Sequence, residues 1–288
     1  LTNYFTDPVN GGMWFAIKPE PDEDGHGVPW DEASRVKSQY HTVYALLGVA
    51  AATVADRPGA HELLNRMLDE QKELWTDDFG RVWDEYDEAF TEAVPVHTLG
   101  TLIHTIEAYM AAAEATTEPE WLDRAEKMTA FAYKVASKNG WRIPEYFDEN
   151  WEPNHEAGKL LNDGRRYYKG YVTGHSMQLA RFALQVRAGL RSMGWEVPDY
   201  LLEMGTELFE RARVDGWRRT DACPGFSTGV DDEGDPIPGE DEHQQWVVCE
   251  GVCAAVAVRR AMLDDGSRIS DVEHFEHCYR SFVDYIHD

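Results

Sequence analysis

Apolar residues recur along this chain with helical spacing in four pairs of segments, and each pair shows the same internal contrast. The leading segments, such as "LIHTIEAYMAAA" and "WVVCEGVCAAVAV", are apolar round most of their circumference. The following ones, such as "EWLDRAEKMTAFAYK" and "YLLEMGTELFERAR", keep their apolar residues to one face. The pattern predicts helical hairpins joining 33–54 with 60–75, 98–115 with 120–138, 174–192 with 198–214, and 244–263 with 270–287. Breakers close the turns: "DRPG", "TTEPE", "MGWEVPD" and "DDGSRIS". The hairpins return roughly every 70 residues, the mark of a repeated helical unit.

A helix apolar all round followed by an amphipathic one implies an inner and an outer layer. The expected fold is all-α, an (α/α)6 barrel in which a ring of inner helices sits inside a ring of outer ones, formed as a single domain over residues 1–288. Four hairpins fall short of six, so the expectation includes a barrel incomplete at one or both chain ends. The long connections are expected to carry short β excursions, as in "GGMWFAI" and "GFSTGVDDEGDPI", with "DEGD" as a turn.

Composition narrows the partners. The 288 residues carry 53 acidic and 27 basic side chains, a formal charge of -26, which disfavours nucleic acid and anionic membranes. No secretory signal or spanning segment is evident, and with four cysteines the chain reads as cytoplasmic, a monomer or homodimer. Cys249 and Cys253 lie four apart on one helix, but no second Cys/His pair completes a metal site. "HFEHC" around His274 to Cys278 falls on a charged outer helix, and Asp231, Glu233 and Asp235 form half a calcium loop without its downstream ligands. No glycine-rich phosphate loop, HExxH or strained serine elbow occurs; Ser176 lies inside a helix. No cofactor or metal is expected.

The informative polar residues are those on the inner helices: Gln39 and His41, His104 and Glu107, His175 and Gln178, Trp246 and Glu250. All lie in or near the first half of their helices, so they are expected at one mouth. Trp83, Tyr86, Trp141, Trp151, Tyr167, Tyr168 and Trp217 on the long connections are expected to wall it. Aromatic faces with a few convergent His, Glu and Gln groups suit a neutral polyol such as a sugar.

Five stretches carry a resemblance: "DPVNGGMWFAI", "HTIEAYMAAAEATTEPEWLDRAEKM", "IPEYFDENWEP", "RRYYKGYVTGHSMQLARFALQVRAGL" and "QWVVCEGVCAAVAVRRAM". They resemble the N-acylglucosamine 2-epimerase superfamily, within it the mannose isomerase and sulfoquinovose isomerase branch. The resemblance implies an (α/α)6 barrel and a cofactor-independent exchange of aldose and ketose through an enediol, with mannose to fructose as the reaction. It implies that His175 is catalytic, and that His104 and Glu107 bind and orient the sugar. A second catalytic histidine lies in the family's C-terminal part, and nothing in this chain matches it, so the resemblance implies that the C-terminal part of the barrel is the absent one.

Two positions depart from the family pattern. Gln39 stands where an arginine is usual, with Arg35 one turn away as a substitute, and Gln178 stands where a glutamate is usual. The expected site is therefore His175 and Gln178 for catalysis, with Arg35, Gln39, His104, Glu107, Trp246 and Glu250 for substrate. A sugar 2-epimerase, a non-catalytic carbohydrate-binding toroid, and a glycoside hydrolase using Glu107 and Glu250 remain alternatives at this level.

Overall fold

A computed structural model of the chain describes residues 4–77, 80–218 and 225–287. Eight α-helices occur among them: α1 Gln39–Val54, α2 Ala60–Glu70, α3 Leu99–Thr116, α4 Pro119–Lys138, α5 Thr173–Ser192, α6 Tyr200–Gly216, α7 Gln245–Asp264 and α8 Ile269–His287. α1 with α2, α5 with α6 and α7 with α8 pair as the hydrophobic pattern predicts, and a π-helical turn, Gln71–Trp75, extends α2 to the expected end of its segment. The chain divides into two compact units, the first comprising Leu1–Arg124 and Tyr146–Tyr167, the second Ala125–Glu145 and Tyr168–Asp288.

In the first unit α1 packs on α2 and α3. Val43, Leu46, Leu64, Met67, Ile103 and Ile106 are buried there, so the apolar circumference of the leading helices is satisfied on several sides. The sequence pattern runs one helix from residue 33. The chain instead makes a 3-10 turn, Ala33–Arg35, a short strand β1, Lys37–Ser38, and only then α1. The break serves Lys37, whose fully buried ammonium pairs with Asp7 at 2.8 Å and lies 5.4 Å from the Trp14 ring centroid. β1 pairs antiparallel with β2, Glu85–Tyr86, and β3, Val96–Thr98, pairs antiparallel with β4, Tyr146–Asp148.

The second unit repeats the scheme: α5 packs on α6 and α7, and α7 on α8. β5, Tyr171–Val172, pairs with β8, Gly229–Val230, while β6, Trp217–Arg218, pairs with β7, Gly225–Phe226. The "DEGD" turn forms beside β8: Asp231 accepts from the amide of Gly234, which has φ +88°, and its side chain caps Glu233 and Asp235. Those caps occupy Asp231, the first of the three acids that resembled a calcium loop.

One device recurs. β1, β3 and β5 each run directly into a leading helix, and each is clamped by a strand from a long connection. The clamp ties the first turn of the helix, which carries His41 in α1 and His175 in α5, to the loops around it.

Candidate functional site

In the second unit α5 opens with Thr173, Gly174 and His175. A Cβ on Gly174 would lie 2.4 Å from a ring carbon of Trp246, so the missing side chain is what lets the indole cross this helix start. Trp246 then lies 5.4 Å from the His175 ring, centroid to centroid, and Tyr168 meets that ring edge-on at 6.0 Å. Nδ1 of His175 is 2.7 Å from Oε2 of Glu145, whose other oxygen accepts the Val172 amide. Glu145 is only 3% exposed. A carboxylate there takes Nδ1–H and leaves the Nε2 lone pair facing away from it. Glu145 was missed in the sequence, where it is one acid among many.

One turn further along α5, Gln178 donates to Glu250 at 3.4 Å, and Arg181 closes on the same carboxylate with two bonds of 3.0 and 3.1 Å. His175, Gln178, Trp246 and Glu250 are thus brought together as expected, with Arg181 and Tyr168 added. Arg181 had a detectable signal: it lies three positions after Gln178, next to it on the helix surface.

In the first unit His104 and Glu107 are joined through Nδ1 at 3.1 Å, and the Tyr44 hydroxyl meets Nε2 at 2.8 Å. The two other residues expected here lie elsewhere. Gln39 has no exposure and pairs with Gln71, which also accepts from Tyr109, so its amide is spent inside the core. Arg35 lies on the turn before α1 and pairs with Glu32 and Glu88. Because β1 separates the 3-10 turn from α1, Arg35 is not on the α1 face.

A largely covered guanidinium of this unit, that of Arg165, was also missed in the sequence. It binds Asp84 and Asp163, donates to Thr98 and Thr101, and covers the Tyr40 ring at 4.7 Å. Burial works against its charge, but the two aspartates outweigh that and raise its pKa. Arg165 therefore stays charged and pins the 163–165 segment to the starts of α1 and α3.

Several wall aromatics serve the packing of their own units. Trp151 stacks on His97 at 4.1 Å, Tyr167 stacks on Tyr146, and Trp217 packs on Phe226 and Phe282. Among the described residues no group of three or more His, Cys, Asp or Glu is placed to hold a metal ion. His274 pairs with Glu210, and Cys223 lies outside the described residues. No helix of those residues is long and apolar enough to cross a membrane.

Comparison with known proteins gives one consistent outcome. The family model described as N-acylglucosamine 2-epimerase matches residues 1–288. A D-mannose isomerase of Thermobifida fusca is 31% identical over 275 residues, covering 92% of this chain and 63% of that protein. A D-mannose isomerase of Pseudomonas cannabina pv. alisalensis is 28% identical over 288 residues, covering 99% of this chain and 64% of that protein. A solved D-mannose isomerase structure superposes with a TM-score of 0.73 at 20% identity, covering 89% of this chain and 60% of that one. The chain therefore spans a little under two thirds of the length of these relatives, and it shares the (α/α)6 fold class with the solved one.

Proposed function

The chain belongs to the N-acylglucosamine 2-epimerase family, and from that premise we propose that the protein is a cofactor-independent aldose–ketose isomerase acting on a free monosaccharide, converting D-mannose to D-fructose. Two relatives that are D-mannose isomerases support the choice of sugar. The observation that carries the chemistry is the His175–Glu145 pair at 2.7 Å between the Trp246 and Tyr168 rings.

Isomerisation moves one proton from C2 to C1 and one from O2 to O1 of the open-chain sugar, through an enediol. A base next to the carbonyl must be neutral to take the first proton and then return it. His175 suits this role because Glu145 holds Nδ1–H, orients the ring and compensates the imidazolium that forms when Nε2 takes the proton. Trp246 offers an apolar face to sugar C–H groups. Gln178 and the Glu250–Arg181 pair supply hydrogen bonds to hydroxyls. A 2-epimerase uses the same enediol but returns the proton to C2 on the opposite face, and the family name favours it as the second reading.

The test is proton NMR of the protein with mannose, fructose, lyxose, cellobiose and N-acetylmannosamine in D2O. Mannose converted to fructose with deuterium gained from solvent is the expected result, and His175→Asn should lower its rate by about 10²–10⁴-fold with the fold intact. Deuterium at C2 of an aldose epimer without ketose would turn the assignment to epimerase. No conversion and no exchange with any sugar would refute both and leave a carbohydrate-binding protein.

A further inference from the structure

His41 was singled out in the sequence, and the catalytic reading leaves it unused. It lies half-buried in the first unit, stacked on Phe15 at 5.0 Å between centroids and met edge-on by Tyr40 at 5.5 Å. Its Nδ1 is 2.9 Å from the Ser38 hydroxyl oxygen, and that hydroxyl donates to the buried Asp163 at 2.7 Å. Burial opposes charge on Asp163, yet the Arg165 guanidinium and the bonds from Ser38 and Arg165 prevail and hold its carboxyl below the usual aspartate range. Asp163 is then purely an acceptor, and the serine proton belongs to it. Having donated that proton, the serine oxygen can only accept from its other neighbour, so Nδ1 must carry a hydrogen.

The consequence falls on the far side of the ring. Nε2 holds a lone pair, and it makes no hydrogen bond among the described residues. Burial pushes the His41 pKa down; Asp163 opposes this and Arg165 adds to it, so the ring is neutral near pH 7. A neutral imidazole whose acceptor nitrogen is unused, beside two aromatic rings, is equipped to take a hydrogen bond from a hydroxyl. Gln39 and Arg35, the groups the sequence offered for ligand contact near α1, are spent elsewhere.

We propose that Nε2 of His41 is a hydroxyl-accepting position for a neutral polyol, held in its acceptor form by Asp163 acting through Ser38. The class of ligand rests on the sugar reading above, whereas the tautomer stands without it. Long-range proton–nitrogen correlation on protein labelled with nitrogen-15 at histidine tests both. At pH 7 the expected signature is neutral His41 with hydrogen on Nδ1, and added D-mannose or D-fructose should shift Nε2. Ser38→Ala should abolish the tautomer preference, and His41→Asn should weaken sugar binding about fivefold.

A charged ring, a hydrogen on Nε2, an Nε2 unmoved by any sugar of the panel, or unchanged affinity in His41→Asn would each overturn the proposal. Should His41→Asn fail to fold, the Ser38→Ala spectrum decides. A wild-type protein that turns over no sugar yet shows the Nε2 shift would sink the isomerase reading alone. Turnover with Nε2 unmoved would sink this one alone.

Discussion

Gln178 donates its side-chain amide to Glu250, a carboxylate that Arg181 already holds with two bonds. The usual glutamate at this position would place a second negative charge beside Glu250 and compete for the one guanidinium. The amide makes the trio neutral, and the rest of the cluster is built around that balance. Gln178→Glu should therefore lower turnover by about tenfold, checked by kcat near neutral pH; a faster enzyme would mean that the amide is a loss the site has not absorbed. At this scale the sequence was a partial guide. His175, Gln178, Trp246 and Glu250 could be found because they stand near the starts of helices apolar enough to make a polar residue conspicuous. Glu145, Asp163 and Arg165 lie in polar connections, where one more charge is invisible until folding buries it.

At the scale of elements, the clamped strands decide where the candidate side chains stand. Gly174 is part of that positioning, since Trp246 occupies the space of its missing Cβ. Gly174→Ala should displace the indole from His175 and cost about 10-fold to 100-fold in turnover while far-UV circular dichroism stays unchanged. Retained activity would show that the ring contact is dispensable.

The entry to α1 depends on a buried ion pair. Burial pushes the Lys37 pKa down, and the hydrogen bond and charge of Asp7 only partly offset it. Asp7→Asn leaves that ammonium without its counter-charge and should cost about 3–5 kcal/mol of stability, read from urea denaturation. The double variant Asp7→Asn/Lys37→Met should recover most of the loss, because it removes the charge together with its partner. An equal loss in the double variant would place the cost in packing and not in the ion pair. The helices themselves were legible to within a few residues, since 3.6-residue periodicity is a local signal. The break at Val36 was not, because its cause, Asp7, is 30 residues distant from Lys37.

For the whole molecule, acid should be destabilising in two stages. The folded-state pKa values of His41 and His97 lie below the ordinary 6.5, with burial the largest cause in each case. At these two rings the unfolded chain then binds more protons between that value and the lowered ones, so their contribution to unfolding free energy is greatest above it and falls as pH drops from 7.5 towards 6, before Glu70 and Glu85, both raised by burial, contribute with the opposite sign. A second loss begins near the ordinary aspartate value of 3.8 and runs below it, as Asp7 and Asp163, both lowered in the fold, take up protons. Urea midpoints at pH 7.5 and 6.0 check the first stage, and equal values would refute it.

What the sequence determined by itself is what short-range patterning encodes: the helical hairpins, their turns, the acidic surface and the helix starts that carry His104 and His175. Hydrophobic spacing is periodic along the chain, so it survives without any knowledge of neighbours in space. Tertiary structure alone decided the partners: Glu145 behind His175, Arg181 on Glu250, Ser38 and Asp163 behind His41, and the withdrawal of Gln39 into the core. A hydrogen bond depends on direction and on distances near 3 Å. Those are set only when segments 30 to more than 100 residues apart are packed and the water between them is gone.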